Sequence, residues 1–198
     1  MTSGDIAPGF RDPVHGAQRA FRLTLDAMAH PARIHDLSGL LAAPPPDPLG
    51  DAAAALLLAL CDVETPLWLA PEAAPVLPYL AFHGGMPIVE AAAEAHFAFI
   101  PGPARLPPLG SFALGSDEYP DRSTTLILEV PSLGSQGGAA LSGPGIATAA
   151  RLSAQRLGAD FWRQRQELSA LFPRGLDIVF TCGARLAALP RSAIVESF

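Results

Sequence analysis

The chain has 198 residues, 49% of them hydrophobic, and a net charge of −6. That length suits one domain with a sizeable core, and the acidic balance argues against non-specific binding to nucleic acid or anionic membranes. All thirteen cationic residues are arginine and none is lysine, which removes a lysine-bearing phosphate loop and any lysine Schiff base from consideration.

Residues 1–11 read as a flexible tail. Residues 1–12 lack a basic n-region and an apolar h-region, so no signal peptide is expected there. No apolar run reaches the length of about twenty residues that a membrane span needs. Asp12-Pro13 is a helix start, an N-cap acceptor followed by proline at the first helical position. Val14, Ala17, Phe21, Leu25 and Met28 follow at steps of three and four, which predicts one apolar, inward stripe. Arg19, Arg22 and Asp26 are placed on the outer side, with Arg22 and Asp26 spaced as an i,i+4 pair. His30-Pro31 stops the helix, and residues 33–37 read as a strand.

The proline cluster in 39–50 predicts a stiff, exposed loop. Asp51 is the expected cap of a helix over 52–60, apolar all round and hence buried. Residues 65–70 read as a central strand and 72–82 as a short helix broken near Pro75 and Pro78. Residues 96–100 and 124–130 are strands, separated by an irregular stretch over 101–115 and a polar loop over 117–123. Residues 137–142 are expected to return against 124–130. A turn at Gly143-Pro144-Gly145 leads to an amphipathic helix over 154–172, with Phe161, Trp162, Leu168 and Leu171 inward and Arg163, Gln164 and Glu167 outward. Pro173 and Gly175 end it. Residues 176–181 and 185–189 then form a hairpin about Cys182-Gly183-Ala184, ended by Pro190. The order of elements predicts a single α/β domain, a mixed sheet flanked by helices.

Chemistry-bearing patterns are sparse. No serine carries glycine at both −2 and +2, so the nucleophile elbow is missing. His83-Gly84-Gly85 is similar to an oxyanion loop but has no nucleophile and reads as a turn. The five histidines lack the spacing of a metal site, so no metal is expected. Gly143-Pro144-Gly145-Ile146 lacks the third glycine of a dinucleotide fingerprint. Cys61 and Cys182 sit in apolar context and read as buried free thiols of a reducing cytoplasm. Pyridoxal phosphate is normally held on lysine, so no cofactor is expected. What remains is arginine and carboxylate. Asp177, among apolar neighbours, must be paired or hydrogen-bonded. One reading is a structural pair with an arginine or the backbone. The other has Arg191, with Arg22 or Arg122, gripping phosphate or phosphonate oxygens. His83 joins these as a further candidate ligand contact; no catalytic residue is assigned.

Several segments together resemble one family. They are FRDPVHGAQRAFRLTLDAM (10–28), LLLALCDVETPLWL (56–69), Phe82-His83, TTLILEV (124–130), LSGPGI (141–146), and FPRGLDIVFTCG (172–183) with Leu189-Pro190-Arg191. This ordered set resembles the PhnH family of the bacterial carbon–phosphorus lyase system. Where that family commonly has Pro-Gly after the first helix, this chain has Pro31-Ala32. The resemblance implies a fold like the large domain of pyridoxal-phosphate-dependent transferases, without the cofactor. It implies a cytoplasmic homodimer that joins PhnG, PhnI and PhnJ in a core complex for phosphonate catabolism. With PhnL, that assembly forms α-D-ribose 1-methylphosphonate 5-triphosphate from methylphosphonate and a purine nucleoside triphosphate. The resemblance assigns the catalytic centres to other subunits. It leaves two readings of this chain, a scaffold subunit or a component holding phosphonate or nucleotide on arginines.

Overall fold

The computed structural model describes residues 6–102 and 104–198. Among the described residues, two sheets and four α-helices make up the fold. Helix α1 (Pro13–Ala29) opens at Asp12, whose carboxylate accepts the N–H groups of Val14 and His15. Strand β1 (His35–Asp36) follows, then α2 (Asp51–Leu60), β2 (Leu67–Leu69), α3 (Leu77–His83), β3 (Phe97–Ile100) and β4 (Thr125–Glu129). Strands β5 (Leu133–Ser142) and β6 (Ala150–Ala154), helix α4 (Ala159–Ser169), and strands β7 (Asp177–Cys182), β8 (Arg185–Leu189) and β9 (Ile194–Ser197) complete it.

The large sheet runs β1-β8-β7-β4-β3-β2. Strands β2, β3, β4 and β7 are parallel; β8 runs antiparallel to β7, and β1 pairs antiparallel with β8. Alternation along each strand feeds both faces. Ala98, Ile100, Leu126, Leu128, Ile178 and Phe180 point to a core shared with α4 and the second sheet. Phe99, Ile127 and Val179 point to a core under α1, α2 and α3. Burying a side chain such as Phe99 or Ile127 stabilises the fold by about 1.5–3 kcal/mol.

The C-terminal hairpin forms as its sequence predicts, with Cys182 opposite Arg185 across the turn. Gly183 occupies φ 59° there, a backbone region open to glycine. Helix α2 is buried from Ala52 to Leu57, although its N-cap is Gly50 and Asp51 is its first residue. The short helix is broken as expected, a tight turn over Pro71–Val76 leading into α3.

Other expectations are corrected. The apolar stripe of α1 faces outward: Val14 is 74%, Phe21 49% and Leu25 57% exposed. The buried face is Gly16, Ala20, Thr24 and Ala27. Small side chains let α1 lie close on α2 and β8, and Phe10 fits over Gly16, where an added Cβ would stand 2.8 Å from its ring. Asp26 does not take Arg22 as its partner; it meets His30, Arg33 and His35 at 3.0–3.2 Å. The expected tail is docked from Ala7 onward: Ala42 N–H donates to the Gly9 carbonyl and Phe10 bridges to Leu41; residues 1–5 lie outside the described residues. Loop 39–50 is partly buried at Leu41 and Leu49.

Strand β2 is an edge, not a central strand. Its outer side is covered by residues 87–89, where Leu67 N–H donates to Pro87 O and Val89 N–H to Leu67 O. Residues 137–142 do not return to β4 but join β5, which pairs with β6 and β9 in a second sheet. The last helix starts at Ala159, five residues late, because Ala150–Ala154 is strand β6. Its inward residues Phe161, Trp162 and Leu168 are buried as predicted, whereas Leu171 and Gln164 are half-buried. Gly145, at φ 80°, packs so tightly on the end of α1 that a Cβ would stand 2.0 Å from the Ala29 carbonyl oxygen.

Candidate functional site

Asp177 begins β7 opposite Thr125 of β4, at the amino edge of the parallel strands. Proline 190 ends β8 and turns Arg191 back toward it. The Arg191 backbone N–H donates to Asp177 Oδ1 at 2.8 Å, and its Nε–H donates to Oδ2 at 3.1 Å. Nη2 donates to the same Oδ2 and to Ser123 Oγ at 2.6 Å, and Nη1 donates to the Pro120 carbonyl. Both side chains are 17% exposed. The carboxylate in the apolar strand is therefore paired, and the arginine donors tie three segments together.

The other sequence candidates are dispersed. Arg122 stands beside this knot, its guanidinium 4.2 Å over the Tyr119 ring, and lines an open cleft with His96 and Asp121. Arg22 is exposed on α1. His83 ends α3, where its Nε2 meets the Ala7 carbonyl at 2.8 Å and its ring packs on Tyr79 and Phe82. It lines a shallow cleft with Phe10, Ala17 and Leu58. The structure thus brings Asp177, Arg191 and Arg122 together and leaves Arg22 and His83 apart.

The opposite, carboxyl edge holds a cleft of about 300 Å³ beyond the ends of β3 and β4. Open α/β sheets commonly bind ligands at that edge. Apolar walls come from Ile100, Leu128 and Phe161, and Arg105, Arg156 and Gln164 supply polar groups. Gln164 Oε1 accepts the Leu109 N–H at 2.7 Å, and Arg156 Nη1 donates to the Pro101 carbonyl at 3.0 Å. Glu129, on the same edge, accepts the Thr181 hydroxyl at 2.6 Å and the Gly183 N–H at 2.9 Å. Burial raises its carboxyl above the usual range, and those two hydrogen bonds pull against the rise. This edge is not legible in the sequence, since Arg105 and Arg156 lie in irregular segments far apart in the chain. The available signal is the TTLILEV segment, whose penultimate residue Glu129 puts a carboxylate at the carboxyl end of β4.

Arg165 is buried to 1% exposure under the last turn of the chain. Its Nη2 donates to the carbonyls of Pro190 (2.7 Å) and Ala193 (3.0 Å), and burial lowers its pKa to about 10. It is still a cation at neutral pH, held by carbonyl dipoles. Among the described residues no group of three or more His, Cys, Asp or Glu side chains is placed to hold a metal ion, and no helix is long and apolar enough to cross a membrane.

The profile of the family described as "Bacterial phosphonate metabolism protein (PhnH)" matches residues 8–196. The chain belongs to the PhnH family. It is 42% identical to the Rhizobium meliloti (strain 1021) protein named alpha-D-ribose 1-methylphosphonate 5-triphosphate synthase subunit PhnH, over 94% of each chain. It is 34% identical over 83 residues to a candidate C–P lyase subunit of Stutzerimonas stutzeri, HtxG, covering 42% of this chain and 43% of that one. The segments that carried the resemblance to PhnH lie within the matched span. They include the α1 sequence, the β7–β8 hairpin and the Asp177–Arg191 knot.

Proposed function

We propose that this PhnH-family chain is a docking subunit of a carbon–phosphorus lyase assembly, and that it supports formation of α-D-ribose 1-methylphosphonate 5-triphosphate without carrying the catalytic centre. The carrying observation is the outward apolar face of α1. Val14, Phe21 and Leu25 stand 49–74% exposed, in line with the partly buried Ala17 and Met28. A contiguous apolar stripe at helical spacing is a recognition surface, with anchors at i, i+3, i+4 and i+7. The relatives' names, a synthase subunit and a candidate lyase subunit, support the same reading.

On this reading a second copy covers the face in the free protein, giving a homodimer, and PhnG, PhnI and PhnJ are the partners in the core complex, with PhnL joining for the nucleotide step. The setting is the cytoplasm. The chain forms one domain and works without a cofactor of its own, consistent with its lack of lysine. The run of parallel strands β2, β3, β4 and β7 supports the likeness to the large domain of pyridoxal-phosphate-dependent transferases.

The test is co-expression with PhnG, PhnI and PhnJ of the same genome, followed by size exclusion with mass determination. The wild type is expected to co-elute in one particle. The Phe21→Asp/Leu25→Asp variant is expected to drop out while keeping its circular dichroism spectrum. A wild type that runs alone refutes the docking role, and a double variant that still co-elutes refutes the assignment to α1.

A further inference from the structure

The cleft at the carboxyl edge of β3 and β4 has no part in that docking role. We propose that it binds a small organic anion, with a phosphoryl or phosphonyl head held by Arg105 and Arg156 and an apolar body against Leu106, Leu128 and Phe161. Its volume of about 300 Å³ matches the lower end of small-molecule sites. Its floor is apolar, with Leu128 and Phe161 3% and 4% exposed.

The charges favour an anion. Arg105 is exposed and has no ion-pair partner among the described residues. Arg156 uses Nη1 on the Pro101 carbonyl, which leaves further N–H donors of its fork for a ligand. The two carboxylates near the cleft are engaged elsewhere. Asp160 takes Arg163 at 2.8 Å, and Glu129 is turned to Thr181 and Gly183. Glu129 is also biased toward its neutral form by burial. Helix α4 opens at the rim: Gly158 caps it without a side-chain hydrogen bond, and Gly158 and Asp160 line the cleft, so the positive end of the helix dipole lies beside the same space. Two arginine forks and a helix end suit a tetrahedral dianion, which offers three acceptor oxygens, better than a carboxylate with two.

This site stands apart from the docking face. The cleft borders the core shared by Ile100, Leu128 and Phe161, whereas α1 covers the other face of the large sheet. The two proposals can therefore fail separately.

The experiment is calorimetric titration of the full chain at low salt with methylphosphonate, butylphosphonate and pentanoate. It is repeated with Arg105→Gln and Arg156→Gln, with Arg19→Gln on α1 as control. Butylphosphonate is expected to bind at one site. A buried methylene is worth about fourfold in affinity, so three of them should tighten it at least about tenfold over methylphosphonate. Pentanoate is expected to bind more weakly than butylphosphonate. Arg105→Gln is expected to weaken binding about fivefold or more, and Arg19→Gln to leave it unchanged. Among the described residues the Arg105 side chain makes no hydrogen bond or ion pair, so its variant decides the matter if Arg156→Gln unfolds. Absence of saturable binding by the wild type, or equal affinity in wild type and Arg105→Gln, overturns the site. Pentanoate binding as tightly as butylphosphonate overturns the phosphonyl assignment.

Discussion

Truncating Arg191 separates a structural knot from a ligand clamp. In Arg191→Ala, Asp177 Oδ2 loses both its guanidinium donors, and Pro120 O and Ser123 Oγ lose theirs. Asp177 Oδ1 keeps the backbone N–H of residue 191. Breaking a buried pair from one side costs about 3–5 kcal/mol. The 17% exposure of each partner and the surviving amide bond reduce that to about 2–4 kcal/mol. For a chain of this size that is a fall in Tm of about 5–15 °C. Urea unfolding followed by circular dichroism measures it, in a cycle with Asp177→Asn and the double variant. The double variant is expected to lose about 1–3 kcal/mol less than the two single losses added together. An Arg191→Ala protein within about 0.5 kcal/mol of wild type, with additive effects in the cycle, refutes the structural account. Such a protein that also failed to support growth on phosphonate would place the arginine on a ligand.

Four further outcomes are expected. Burial raises the Glu129 carboxyl, so the folded chain takes up a proton more readily than the unfolded one; stability from this group is present below the ordinary value near 4.5 and is lost as pH rises through the raised one. Glu129→Gln removes that loss, so its stability relative to wild type should improve from about pH 4 to pH 7, and a flat difference in urea midpoints across that range contradicts the burial argument. On α1, Ala20→Leu should cost about 1–3 kcal/mol by overpacking, while Phe21→Ser should change monomer stability by less than about 0.5 kcal/mol, and thermal melts showing the reverse order would restore the inward stripe. Gly145→Ala meets the Ala29 carbonyl and an unfavourable φ, so a loss of about 2 kcal/mol or more is expected in the same assay. Burial raises the Cys61 thiol to about 12, so iodoacetamide at mildly alkaline pH should leave it unmodified in the native chain and label it in urea, as read by mass spectrometry.

The hairpin 176–189, strand β4 and helix α2 were legible because every local signal in them agrees: β-branched or apolar runs, a glycine turn, prolines at the ends. Helix α1 was legible as a helix but not in its orientation. Val14, Ala17, Phe21 and Leu25 have helical spacing, and so do Gly16, Ala20, Thr24 and Ala27; which set turns inward depends on how closely α2 and β8 approach. Strands β5 and β6 are rich in small and polar residues, from Gly134 to Ala140 and at Ala150 and Ser153, and their pairing partners are not visible locally. Asp177 was legible as a carboxylate in need of a partner. The carboxyl-edge cleft was not, because Arg105 and Arg156 meet only through the crossovers of the parallel sheet.

The margins of the large sheet restrict how copies of this chain can join. One margin, β1, is two residues long, and the other, β2, is already bridged by residues 87–89. A sheet that offers no long free row of N–H and C=O groups at either margin cannot be lengthened by a neighbour's strand. Any assembly that draws on this layer must proceed through side-chain surfaces.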